Sequence, residues 1–448
     1  MQQRYVYAGE SAVRRDGDGA RVGFSTSGGL DAHPFFFSGF LARPRLSAAL
    51  LLSVSKVAGT RFYVPAAVIQ AVIRAADPVV TSDGGQLRFE SFSVCNGVYA
   101  RADFSGDALD DGFLASGTTN VDFNPPMRNA LARLRDTDAV HLSVGADDVT
   151  ISTLRETIVE RKVPLPARWL RGFAEVQLVQ VGMTPRFDLD TARARRFLSV
   201  VARERRKGDW WAAPSASGVT LAAAPLPGAV RIAGLERLKL LANHAREARG
   251  LRVWATDDDA DGATAWELEV PDSRLTLALS PQPNRGFSGE GNVLRDVVDD
   301  AVVVLAERLR PQITGVARID TTELAQQTGE EVEVVNRALN VLASSGVVGF
   351  DLSTCEFFSR ELPFDADAMA LLHPRLQGAR SLGPDAVVIL ERTATTTVAA
   401  VAGRTANYVV RASGAERSCT CPWYEKHAGS RGPCKHVLAF ELLEQGVS

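Results

Sequence analysis

Four side chains near the end of the chain have the types and spacing of a metal site. Cys419, Cys421, Cys434 and His436 read as C-x-C, twelve intervening residues, then C-x-H. In an extended strand residues two apart project to the same side, so Cys419 and Cys421 can offer both sulfurs to one point. Cys434 and His436 open a segment in which Val437, Phe440 and Leu443 recur at helical spacing, which places them at the start of a helix packed on the preceding hairpin. Three thiolates and one imidazole fill a tetrahedron and leave no position for water or substrate, as in a structural rather than a catalytic zinc site. Thiolates at a helix N-terminus are further favoured by its exposed N–H groups. Such an ion contributes on the order of 10 kcal/mol or more, enough to decide whether a small unit with a thin core folds. His427, in the intervening loop, is an alternative donor whose direction nothing nearby fixes.

At these residues the sequence resembles the SWIM-type zinc finger, whose pattern is C-x-C, a variable spacer and C-x-H. Upstream, Thr397–Ala402 and Asn407–Ala412 look like the two strands before the first ligand pair, and CKHVLAF looks like the closing helix. The resemblance covers about the last fifty residues and implies Cys419, Cys421, Cys434 and His436 as ligands of one structural Zn2+. Members of the family are implicated in binding DNA or protein, attached to helicase-like ATPases or transposases, or as stand-alone bacterial proteins. No G-x-x-x-x-G-K-[ST] loop occurs in this chain, so it looks like the stand-alone kind. That likeness implies a protein partner, with any ATPase motor carried by a separate component.

The elements that must position the site belong to a chain long enough for three or four folding units. It has 448 residues, 46% of them hydrophobic and 23% charged, with a formal net charge of −3, the composition of a folded protein with no global pull toward nucleic acid. The opening MQQRYVYAGE lacks the basic start and apolar run of a secretory signal, and no stretch reaches the length of a membrane helix, so a cytoplasmic location is expected. Five cysteines, three of them between 419 and 434, read as metal chemistry rather than a disulfide framework. Cys95 and Cys355 stand alone and read as small buried hydrophobes.

Hydrophobic periodicity predicts an α+β multidomain chain. Residues 1–125 form a β-rich α+β module around a helix near Ala66–Ala76, and residues 126–290 form one or two more. The order strand, helix, strand, strand is expected to recur there only in outline, since residue identity between the stretches is poor. Residues 291–365 resemble a winged helix-turn-helix domain: helices at Asn292–Leu309, Thr321–Gln327 and Glu331–Ala343, then the strand pair VVGFDL and CEFFSREL. Residues 385–448 complete the chain as a small ββα zinc finger.

Other segments carry chemistry less specifically. Thr191–Lys207 presents Arg193, Arg195, Arg196, Arg203, Arg205, Arg206 and Lys207 against apolar Phe197, Leu198, Val200 and Val201, followed by Trp210 and Trp211. A basic face beside aromatics can hold phosphates and stack bases, and a solvated helix with its tryptophans in a core fits the same pattern. Arg431 and Lys435 add charge to the finger. In the winged-helix-like segment the groove-reading position holds Glu330, Glu331 and Glu333, with Arg337 the one base, which favours protein packing over DNA. Asp257–Gly262 imitates the start of a calcium loop but has Leu268 where a bidentate Glu is needed, so a polar hairpin loop is expected. Asn120, Asp122 and Asn124 before Pro125 read as a turn.

No nucleophile elbow, H-E-x-x-H or glycine-rich phosphate loop is found. The expected function is therefore that of a non-enzymatic adaptor, zinc-stabilised and binding protein partners with or without DNA. The alternatives are direct DNA binding through the finger and the 191–207 helix, and an unrecognised enzyme within residues 1–290.

Overall fold

The computed structural model describes residues 12–16, 19–23, 35–62, 78–110, 115–120, 123–145, 148–153, 157–161, 167–257, 262–362, 373–404 and 406–446. The helix expected near 66–76, Asp122, and residues 258–261 of the acidic run lie outside them. The described chain is a mixed α/β protein with several antiparallel sheets. It divides into two compact units, Met1–Trp169 with Val179–Gly286, and Leu170–Leu178 with Phe287–Ser448. Among the described residues no helix is long and apolar enough to cross a membrane.

In the first unit the elements run β1 (Ala12–Asp16), β2 (Gly19–Gly23), β3 (Phe35–Leu41), α1 (Pro44–Gly59), β4 (Val79–Asp83), β5 (Gln86–Phe92), β6 (Val98–Ser105), β7 (Leu109–Asp110), β8 (Ser116–Asn120), α2 (Pro125–Arg133), β9 (His141–Gly145), β10 (Asp148–Ser152) and β11 (Thr157–Arg161). They continue with α3 (Ala167–Val181), whose middle belongs to the second unit, then β12 (Thr184–Asp190), α4 (Thr191–Arg203), β13 (Trp210–Ser215), β14 (Gly218–Ala222), β15 (Val230–Ile232), α5 (Leu235–Ala242), β16 (Gly250–Ala255), β17 (Thr264–Val270) and β18 (Ser273–Leu279).

Eight of these strands form one antiparallel sheet in the order β12-β16-β17-β18-β6-β5-β4-β8. Its two faces differ because side chains alternate along each strand. One face is apolar, with Phe89, Phe104, Trp266, Leu268, Leu275 and Leu277 fully or almost fully buried against α1, α4 and α5. The other carries a ladder of alternating charge. Arg88 stands opposite Asp103, Asp103 opposite Arg274, and Arg274 opposite Glu269. In the next row Glu90 faces Arg101, Arg101 faces Thr276, Thr276 faces Glu267, and Glu267 faces Arg252. Arg101 and Asp103 are both about 1% exposed and lie 2.9 Å apart. Charges buried this far persist only when paired.

This sheet corrects the expected division at residue 125, since strands from 79–120 and from 184–279 share it without interruption. Within 126–290, α2-β9-β10 and β15-α5-β16-β17 stand where the recurring order was expected in outline, but they are built into different sheets: β9 and β10 lie in a five-stranded one, β16 and β17 in the large one, and β15 pairs with β13.

The second unit runs α6 (Leu294–Val297), α7 (Asp300–Ile313), α8 (Thr321–Thr328), α9 (Val332–Ser344), β19 (Val348–Asp351), β20 (Glu356–Ser359), α10 (Pro374–Arg380), β21 (Val387–Arg392), β22 (Thr396–Ala402), β23 (Asn407–Ser413), β24 (Glu416–Cys419), α11 (Pro422–His427) and α12 (Lys435–Glu444). The single helix expected over Asn292–Leu309 is broken in two. Asp299 caps α7 through its carboxylate and the Val302 amide, and Arg337 reaches from α9 to place Nε 2.7 Å from Asp296 and Nη2 2.7 Å from Asp299. A capping carboxylate held by an arginine fork fixes the break. Three helices and the β19–β20 hairpin follow in the expected order.

Candidate metal centre

The finger is a four-stranded antiparallel sheet, β21-β22-β23-β24, with α12 across one face. Ala399, Val401 and Val410 meet Val437, Leu438 and Phe440 in a small core that also contains the three cysteines. The expected strands Thr397–Ala402 and Asn407–Ala412 are β22 and β23, and β21 and β24 extend the sheet on either side.

The chain brings its four donors together with a cysteine N-cap on each side. Cys419 ends β24, and Cys421 is the N-cap of α11, its sulfur accepting from the Tyr424 amide at 3.4 Å. Cys434 is the N-cap of α12, its sulfur accepting from the Val437 amide at 3.5 Å, and His436 follows one position inside the helix. Pro422 at the first position of α11 loses no hydrogen bond there. The donor atoms of Cys419, Cys421, Cys434 and His436 all lie within 4.8 Å of one another, and all four residues are buried.

These residues fit a zinc ion. Donors around tetrahedral zinc stand about 3.5 to 3.8 Å apart, a spread that this cluster can close. His436 has sulfur as the polar neighbour of its Nδ1, 3.9 Å from Cys419, while Nε2 is buried without a hydrogen-bond partner. The thiols also interact strongly. A hydrogen bond from Cys419, aided by His436 and the Val437 amide, holds the Cys434 thiol down to about 4 despite its burial. The same hydrogen bond, with burial, pushes Cys419 well above the usual thiol range, and burial raises Cys421. Three sulfurs therefore share one negative charge where a divalent cation would stabilise all three as thiolates. When bound, the ion would act as a structural cross-link. His427 is not in the cluster; its ring lies 4.8 Å from that of Trp423.

The Tyr408 ring lies 4.7 Å from that of His436. Tyr424 donates from its hydroxyl to the Arg417 carbonyl at 2.5 Å, and Arg417 pairs with the half-buried Glu441 at 3.4 Å. Arg431, expected as a nucleic-acid contact, instead donates to the Gly289 carbonyl at 2.6 Å and pairs with Glu290 at 3.3 Å. Lys435 is half-buried. Glu175, Glu290, His373 and Arg375, which belong to the same unit, are absent from the sequence reading because they lie 59 or more positions before Cys434 with no local pattern to link them.

The other expected site residues are scattered. Arg193, Arg195, Arg196, Arg203, Arg205, Arg206 and Lys207 are all exposed, but the helix ends at Arg203, so the last three leave its face. Arg195 donates to the Ala248 carbonyl at 3.1 Å. Trp210 is buried beneath the Arg206 guanidinium, 4.5 Å from its ring, and is not a stacking platform. Asp257 pairs with Arg186 at 2.9 Å at the end of the β16–β17 hairpin, and Asn124 caps α2 through the Met127 amide.

A closed set of three cysteines and one histidine between a β-hairpin and a helix defines a structural zinc finger. Residues 408–442 match the SWIM zinc finger family, and the chain carries a SWIM zinc finger there. No curated protein matches the chain. Among solved structures it is similar to the proliferating cellular nuclear antigen of Entamoeba histolytica, at 13% identity and TM-score 0.35, over 55% of this chain and 99% of that one. It is similar also to that of Thermococcus kodakaraensis, at 11% identity and TM-score 0.37, over 55% and 100%. At these TM-scores neither fold nor role carries over to this chain.

Proposed function

We propose that this protein is a zinc-stabilised, non-enzymatic adaptor that binds partner proteins through the finger and the modules before it. The observation that carries the reading is the closed, buried Cys419–Cys421–Cys434–His436 set, whose ion would hold a fold rather than meet a substrate. The outer face of the finger sheet supports it: Val388 on β21 and Val409 on β23 flank Ala400 in register, and Val388, Leu390 and Val409 are exposed. The three helices and hairpin of 300–359, in winged-helix order, are proposed to pack against protein. Glu331 and Glu333 head α9, and Arg337 is committed to Asp296 and Asp299. The likeness to stand-alone SWIM proteins supports a cytoplasmic assembly with a separate ATPase.

Affinity capture through the full chain, with and without nuclease and at rising salt, tests this. Partners retained after nuclease and at high salt are expected, because apolar contacts are not screened. Loss of all partners with nuclease would favour the second reading, direct nucleic-acid binding by the exposed basic side chains of α4 and of 205–207, which the ladder of arginines there supports.

A further inference from the structure

Arg375 is not one of the four donors, yet it meets both of the segments that carry them. From α10 its Nη1 donates to the carbonyls of Arg431 at 2.7 Å and Pro433 at 2.9 Å, the residues that lead into Cys434. Its guanidinium also stacks 4.6 Å from the ring centre of Trp423, two residues beyond Cys421. A third contact, from Nη2 to the Gly289 carbonyl at 3.4 Å, ties it to the 287–292 segment. The start of α10 is fixed to that segment too: His373 accepts from the Arg375 amide at Nδ1 and donates from Nε2 to the Glu290 carbonyl at 2.9 Å.

The backbone of the 287–292 segment approaches the guanidinium closely. A methyl group on Gly291 would collide with Nη2 of Arg375, and one on Gly289 with Nη2 of Arg431. One on Gly432, whose φ is +78°, would strike the Gly291 carbonyl. Two loops thus approach at glycines with two arginines threaded between them. The carboxylates of Glu175 and Glu290 and the Cys434 sulfur supply opposite charge around Arg375.

We infer that Arg375 is a positioning residue of the metal centre, setting the C-x-C and C-x-H halves at the separation one ion requires. The inference rests on the zinc reading of the four donors. It needs the guanidinium, since one group must donate from Nη1 to two carbonyls and from Nη2 to a third while its carbon lies over an indole, which a lysine's single nitrogen cannot do. Partners of metal ligands at this remove typically change metal affinity 10- to 100-fold when lost.

The test uses the full chain with Arg375→Lys and Arg375→Gln. Zinc affinity is measured by competition with a chromophoric chelator, and site geometry by the thiolate-to-metal and d–d absorption of the cobalt-substituted protein. Both variants are expected to bind zinc about 10- to 100-fold more weakly, with altered cobalt spectra. Affinity within about twofold of the unaltered chain and an unchanged spectrum, or full rescue by lysine, would overturn the inference. Should the Arg375 variants fail to fold, Gly291→Ala, which displaces the guanidinium and leaves the residue in place, decides by the same two readings. If the unaltered chain takes up no stoichiometric zinc, the centre itself fails first, and that outcome is distinct from a bound but insensitive site.

Discussion

Tyr408 covers one face of the His436 imidazole, their ring centres 4.7 Å apart and their planes tilted by 40°. The tyrosine stands in β23 and the histidine in α12, so the pair joins the sheet to the helix directly over a metal donor. Aromatic contacts of this kind contribute about 0.5 to 1.5 kcal/mol beyond burial, and a ring lying over the donor is expected to hinder a chelator's approach. Tyr408→Ala is expected to speed zinc release into a chelator several-fold, and Tyr408→Phe to leave it unchanged. Equal release rates for all three proteins would mean that the ring shields nothing.

Cys434 combines three roles: donor, N-cap of α12 and the lowest thiol of the cluster. Cys434→Ser keeps a capping oxygen but removes a thiolate, so metal loss is separated from loss of the cap. The variant should lose stoichiometric zinc and expose the last sixty or so residues to protease, while residues 1–286 resist as before. Elemental analysis and limited proteolysis report the two effects; an unchanged zinc content would remove Cys434 from the ligand set.

The donors were legible in the sequence because each device that aims them is local, although the first differs from the expected strand alternation: β24 ends at Cys419 and Cys421 caps a helix, as Cys434 does ahead of His436. Most helices of the second unit were legible for the same reason, with the break at Asp299 missed because it depends on Arg337, 38 positions away. The charged ladder of the large sheet was not legible either. Arg88, Glu90, Arg101 and Asp103 alternate with apolar residues as the solvent face of a strand would, and only the pairing of β6 with β18, and of β18 with β17, adds Arg274 and Glu267 beside them. Burial of a polar face is a tertiary property that alternation alone does not encode.

That ladder predicts its own sensitivity. Asp103 lies 2.9 Å from Arg101, 3.3 Å from Arg88 and 3.7 Å from Arg274. Asp103→Ala leaves three arginines without the carboxylate they share, two of them fully buried, and breaking a buried pair from one side costs about 3–5 kcal/mol. Chemical denaturation of the first unit's transition should shift accordingly, with zinc content unaltered. A cost below about 1 kcal/mol would show the ladder to be well hydrated.

The basic segment separates the two binding readings. Arg195, Arg196, Arg205 and Arg206 are exposed, and replacing all four with Glu reverses the local charge without touching the buried residues Phe197, Leu198 and Val201. If the chain holds DNA, the variant should lose that retention and the dependence of binding on salt should flatten. Retention equal to that of the unaltered chain would dismiss this surface, leaving the partner proteins of the adaptor reading unaffected.

Glu175 gives a prediction in pH. Burial, and then the charge of Glu290, raise its carboxyl to about 8, although the Asn292 amide donates to it at 3.3 Å. The folded chain therefore keeps a proton that the unfolded chain releases above the ordinary carboxylate range. The linked stability is fully present below that range and is lost as pH rises toward 8, by up to about 1.4 kcal/mol per unit. Glu175→Gln holds the neutral form at every pH and still offers an oxygen to Asn292. With zinc held saturating, the variant should already exceed the unaltered chain at the acid end of a pH 6 to 8 series, by a margin that widens toward 8. Parallel stability curves would place Glu175 in contact with water or with a cation that keeps it ionised.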